Sequence, residues 1–114
     1  MWYSADVFFE SVHNGKSSRK GLWEETIVLI HSQTERSARQ KAEQWAKRAE
    51  HEYVSANGDR VRWVFRCVER VAPIEADGLV HGVELFSRFL KAKEVRSILS
   101  KIEFPEARTK SKSA

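Results

Sequence analysis

At 114 residues the chain has room for one domain, and 32% charged with 41% apolar residues is an ordinary globular balance. That composition excludes a collagen, a coiled coil, a disulfide scaffold and a wholly disordered chain. The net charge of +4 lies at one end: residues 1–90 are neutral, and residues 91–114 carry seven Lys/Arg against three Glu. The folded part is therefore expected to be neutral with a basic end, which argues against a dedicated nucleic-acid fold.

Trp2–Val12 alternates, with Tyr3, Ala5, Val7 and Phe9 on one face and Ser4, Asp6, Phe8 and Glu10 on the other. This predicts a half-buried strand. His13–Gly21 reads as a turn-rich basic loop. Leu22–His31 is apolar and rich in β-branched residues, and reads as a hairpin partner of the first strand.

Thr34 is a good N-cap, and Ser32-x-x-Glu35 offers a capping box nearby. Ala38, Ala42, Trp45, Ala46 and Ala49 then recur at helical spacing, predicting a long helix whose thin face lies close on a sheet with Trp45 as anchor. Asn57-Gly58 marks a turn between a short strand at Tyr53–Ser55 and a long one at Arg60–Val71, ended by Pro73. Strict alternation there places Val61, Trp63, Phe65 and Cys67 on one side, and Arg60, Arg62, Val64, Arg66, Val68 and Arg70 on the other. After a turn at Ala76-Asp77-Gly78, Leu79–Leu90 reads as a last long strand, with Gly82 marking a bulge. Lys93–Glu103 carries Val95, Ile98, Leu99 and Ile102 as a short amphipathic helix.

The expected fold class is α+β: an antiparallel sheet of four to five strands, one long helix on one face and a short C-terminal helix. Residues 1–104 form the single domain and 105–114 a disordered basic tail. Several predicted strands carry large apolar groups on both faces. One helix covers one face, so the second needs the C-terminal helix, another subunit or a partner.

The segments WYSADVFFES, LWEETIVLI, VRWVF and HGVELFSRF, in that order around the Ala-rich helix, resemble a bacterial domain-of-unknown-function family, the one numbered 4288. The resemblance covers about Trp2 to Leu90. It implies one sheet and one helix, and brings no assigned activity and no catalytic residues. The positions that match its pattern are Trp2, Tyr3, Glu24, Glu25, Trp63, Phe65, Glu84, Ser87 and Arg88.

Chemistry-bearing patterns are sparse. The strand arginines Arg60, Arg62, Arg66 and Arg70 read as cross-strand ion pairs with Asp6, Glu10, Glu24 and Glu84 rather than as a phosphate surface. The histidines His13, His31, His51 and His81 lie on four different segments without ligand spacing, and no Gly-rich phosphate loop is present. No catalytic, cofactor or metal residues are therefore expected. Cys67, the single cysteine, reads as a small buried hydrophobe, and the lack of a disulfide pair fits a cytoplasmic protein. Asp6 and Glu10 in an N-terminus without a basic start argue against a secretory signal, and no apolar run reaches membrane-spanning length.

The expected function is a small binding or accessory domain acting through protein–protein contact, with another protein or itself as partner and no membrane. Its candidate surface is Phe8, Glu24, Arg62, Val64, Arg66, Glu84, Phe86 and Arg88. The alternative is weak nucleic-acid binding through Lys16, Arg19, Lys20, Arg108, Lys110 and Lys112. A second alternative is a small enzyme with a Glu/Arg site formed by Glu24 or Glu25 with Glu84 and Arg88.

Overall fold

The computed structural model describes residues 1–17, 21–75 and 79–100. Its elements in chain order are β1 (Trp2–His13), β2 (Trp23–His31), α1 (Glu35–Ala49), β3 (His51–Val54), β4 (Arg60–Pro73) and α2 (Ala92–Leu99). The strands form one curled antiparallel sheet in the order β2-β1-β4-β3. The fold is α+β, as expected.

The expected alternation of β1 sets the core. Tyr3, Ala5, Val7 and Phe9 are buried against Ala38, Ala42 and Ala46 of α1. Alanine at these positions lets the helix backbone approach the sheet. Trp45 is half-buried and meets Phe9 edge-on at 6.4 Å, and Phe65 meets the same ring at 6.3 Å. Thr34 caps α1, its Oγ1 accepting from Ser37 N at 3.1 Å. Two turns close the far end of the sheet. Asn14 and Gly15 both have positive φ (51° and 80°), between paired His13 and Lys16. This is the geometry that Asn-Gly favours in a two-residue hairpin. Gly58, at φ 87°, turns the chain between β3 and β4.

Strict alternation fails on β4. The register against β1 slips between Asp6 and Val7 and again between Phe8 and Phe9. Val68 pairs with Val7 and Cys67 with Phe8, leaving Arg66 and Glu69 as the extra residues of two bulges. Each extra residue inverts the parity of the strand beyond it. Val68 and Val71 thus join the core, whereas Cys67 is exposed on the opposite face, correcting the expectation that it is buried.

Leu79–Leu90 is not a strand. Val83 N donates to Val80 O at 3.1 Å across a turn in which Gly82 has φ 88°, breaking the extended chain at its start. The segment instead lies as an irregular strap over the second face of the sheet, bringing Val83 and Phe86 beside Ala72 and Pro73. The strap shields part of the second face, a role for which the sequence offers the C-terminal helix, another subunit or a partner. That helix, α2, begins where Lys91 N donates to Glu94 Oε1 at 2.9 Å; it buries none of its described residues and touches no other element. The Ala76–Gly78 turn, Ile102 and the tail expected at 105–114 lie outside the described residues.

Candidate functional site

Two features stand out on the second face of the sheet and along its border. The first is acidic. Asp6 on β1 pairs with Ile27 of β2 and Arg70 of β4, so its side chain shares the second face with theirs. Glu25, one pair further along β2, and Glu69, displaced by its bulge, converge on it. One oxygen from each carboxylate lies within 4.8 Å of the other two. Asp6 is only 2% exposed, and neither of its oxygens has a hydrogen-bond partner. Glu25 and Glu69 are exposed. Burial, and then the neighbouring Glu25 and Glu69, push the Asp6 carboxyl up to about 7. Arg70 does not neutralise the group. Its Nη1 donates to Ser87 O at 3.2 Å, and its guanidinium lies 4.6 Å from the centre of the Phe86 ring.

The second feature is the free side of β2, an edge of the sheet. Ser11 N donates to Leu22 O, and Ser32 N donates to Met1 O, both at 2.9 Å. These two bonds fix the phase of the β1–β2 ladder. Even-numbered residues of β2 bond inward, so Trp23, Glu25, Ile27, Leu29 and His31 turn their backbone N–H and C=O outward. The His31 carbonyl is taken by Lys41 Nζ at 2.9 Å. Among the described residues no bond closes the other four on this edge. Two of them, Ile27 (49% exposed) and Leu29 (39%), line an apolar groove of about 380 Å³ completed by Leu79, Val80, Val83 and Leu85 of the strap.

On the opposite side of the sheet, beyond the short β3, α1 and its C-cap each satisfy one backbone group of β4. Glu50 Oε2 accepts from Phe65 N at 2.9 Å, and Arg39 Nη1 donates to Val68 O at 2.7 Å.

The structure disperses the residues singled out in the sequence. Phe8, Val64, Arg62 and Arg66 lie on the second face, and Phe86 lies in the strap over it. Glu24 pairs with Phe9 and therefore sits on the helix-covered side, away from them. The expected ion pairing holds for Arg66, whose Nε donates to Glu10 Oε1 at 2.9 Å. The other partners differ from those expected: Arg62 binds Glu50, Arg60 lies 3.7 Å from Glu52, and Asp6 meets acids instead of arginine. Arg88 lies 6.0 Å from the Phe86 ring, and Glu84 lines a shallow hollow with Ala72 and Pro73. Of the expected nucleic-acid contacts, Lys16 is exposed beside the Asn14-Gly15 turn; Arg19, Lys20, Arg108, Lys110 and Lys112 lie outside the described residues.

Residues 2–87 match the family described as Domain of unknown function (DUF4288). The chain belongs to this family. No curated protein and no solved structure matches it. Within the DUF4288 region, Tyr3 is buried and Trp63 and Phe65 pack on the core, so three of the positions carried by the resemblance are structural. Glu25 is the one that enters the acidic cluster. Glu69 carried no sequence signal, because only the bulge aims it at Asp6. No described helix is long and apolar enough to cross a membrane.

Proposed function

We propose that this DUF4288 chain is a protein-binding module without catalytic chemistry of its own, and that its β2 edge pairs antiparallel with β2 of a second copy. The observation carrying this reading is the run of outward backbone groups at Trp23, Glu25, Ile27 and Leu29, beside an apolar groove. An exposed edge normally carries charge, a proline, a bulge or a cover. Thr26–Ile30 has none of these: the five residues are uncharged and contain no proline, and no bulge interrupts the β1–β2 register. An antiparallel edge-to-edge pair satisfies the same residues on both chains about a two-fold axis, so the strand is its own complement. The strap leaves apolar surface next to the edge, where side chains of the added strand can pack at roughly 25 cal/mol for each Å² buried.

Sedimentation equilibrium at micromolar concentration tests the reading. A dimer is expected for the native chain, and a monomer for Ile27→Lys. Ile27→Pro is the sharper variant, because its N–H points away from β1 and the internal ladder survives its loss. A native chain that stays monomeric, or an Ile27→Pro variant that is folded and still dimeric, refutes pairing along β2.

A further inference from the structure

We propose that Asp6, Glu25 and Glu69 bind a calcium-sized divalent cation that ties β1, β2 and β4 together on the second face. Three carboxylates from three adjacent strands offer oxygens within 4.8 Å of one another. Two oxygens on opposite sides of one Ca²⁺ are separated by about 4.6–5.2 Å, whereas Mg²⁺ draws them in to roughly 4.0–4.2 Å. A spread of no more than 4.8 Å lets one cation of either size reach all three, and three protein carboxylates exceed the one or two that usually hold Mg²⁺, which favours the larger, more flexibly coordinated ion. The ligand set, carboxylate oxygen only, is that of a hard cation and not of zinc or copper.

Surface acids commonly gather without a ligand. This cluster differs in its floor. Asp6 is buried with both oxygens unpartnered, an arrangement that a protein avoids unless a proton or a cation completes it. Ionised carboxylates have no proton to donate, so Glu25 and Glu69 cannot satisfy Asp6 while all three are charged. The base opposite Asp6 in the ladder, Arg70, donates to Ser87 O and packs on Phe86. Among the described residues the three acids thus face one another without a counter-charge. A divalent cation with water in its outer positions satisfies the Asp6 oxygens and removes the repulsion together, while Glu25 and Glu69 at the rim give it a route from solvent. The cation site uses the Glu25 side chain, and the edge pairing proposed above uses the Glu25 backbone, so either can hold without the other.

The test uses the full chain stripped with a chelator and titrated with CaCl₂, with MgCl₂ and KCl as controls. Calorimetry should find one Ca²⁺ per chain, with an affinity in or tighter than the range of about 10⁻⁴–10⁻³ M of weak protein sites. The melting temperature should rise by several degrees at saturating Ca²⁺, and less with Mg²⁺. Asp6→Asn, which keeps the shape and removes the charge, should abolish both effects, and Glu69→Gln should weaken binding tenfold or more. Glu24→Gln, next along β2 but on the other face, should bind as the native chain does. If Asp6→Asn fails to fold, Glu69→Gln and Glu25→Gln at the exposed rim carry the test. No heat and no melting shift up to about 10 mM Ca²⁺, or equal shifts in the native and Glu69→Gln chains, would overturn the proposal.

Discussion

Lys41 Nζ reaches across from α1 and donates to the carbonyl oxygen of His31 at 2.9 Å, ending the free edge of β2 at its last residue. On the other border of the sheet, Glu50 and Arg39 do the same for Phe65 and Val68. The helix and its C-cap therefore satisfy one backbone group at the end of β2 and two on β4, and leave Trp23 to Leu29 of β2 without such a contact. The charges of this stretch, Glu24 and Glu25, sit at its start, and Thr26 to Leu29 carries none, so a second strand can pair there without meeting the charge that usually guards an edge.

Amide exchange resolves this edge residue by residue. Thr26, Val28 and Ile30 bond inward to β1 and should be protected at every concentration. Glu25, Ile27 and Leu29 should exchange quickly in dilute solution and become protected as the chain dimerises. If those three exchange quickly where sedimentation finds a dimer, the contact lies elsewhere.

Much of this architecture is legible in the residues. The β1 alternation, the Thr34 cap and the alanine stripe of α1 are local patterns, and each lies where its spacing puts it. The illegible part is non-local. Nothing in VRWVFRCVERV marks Arg66 and Glu69 as extra residues, because a bulge is defined by the partner strand. The inverted parity at Cys67, the shift of Val68 into the core and the hidden acidic cluster all arise from these two slips. Leu79–Leu90 departs from expectation for a related reason. Its apolar content is plain in the sequence, but at least part of that content serves a strap across the sheet rather than a ladder within it.

Cys67 gives the bulge a chemical readout. Exposed on the second face beside Phe8, it should react with a thiol reagent in the native chain, without denaturant. Protection that disappears only on unfolding would place it back in the core and remove the slip between Phe8 and Phe9. Reaction slowed at dimerising concentrations would instead place a partner over this face.

The helix–sheet contact predicts an asymmetry between two substitutions. Ala42 is fully buried, and Ala42→Leu must push α1 off β1, costing about 1–3 kcal/mol. Trp45 is only half-buried, so Trp45→Ala should cost about 2 kcal/mol, below the range for a fully buried tryptophan. Urea midpoints measure both. An Ala42→Leu variant as stable as the native chain would show that the helix does not lie as close to the sheet as its alanines require.

The carboxyl of Asp6 sets a pH dependence with a definite sign. Burial first, and then Glu25 and Glu69, hold its folded value at about 7 against 3.8 for the free group. Below 3.8 the group is protonated in both states and contributes nothing to the difference between them. As pH rises from there, the unfolded chain releases this proton while the folded chain retains it, so the unfolded state gains and stability falls until about 7. Above that value both states are ionised and the loss is constant. Asp6→Asn cannot titrate and escapes it. With a chelator present to exclude metal, its melting temperature relative to the native chain should rise between about pH 4 and 7 and then level off. A difference that stayed flat across that window would mean that Asp6 is satisfied in the folded chain, and that the three acids do not meet.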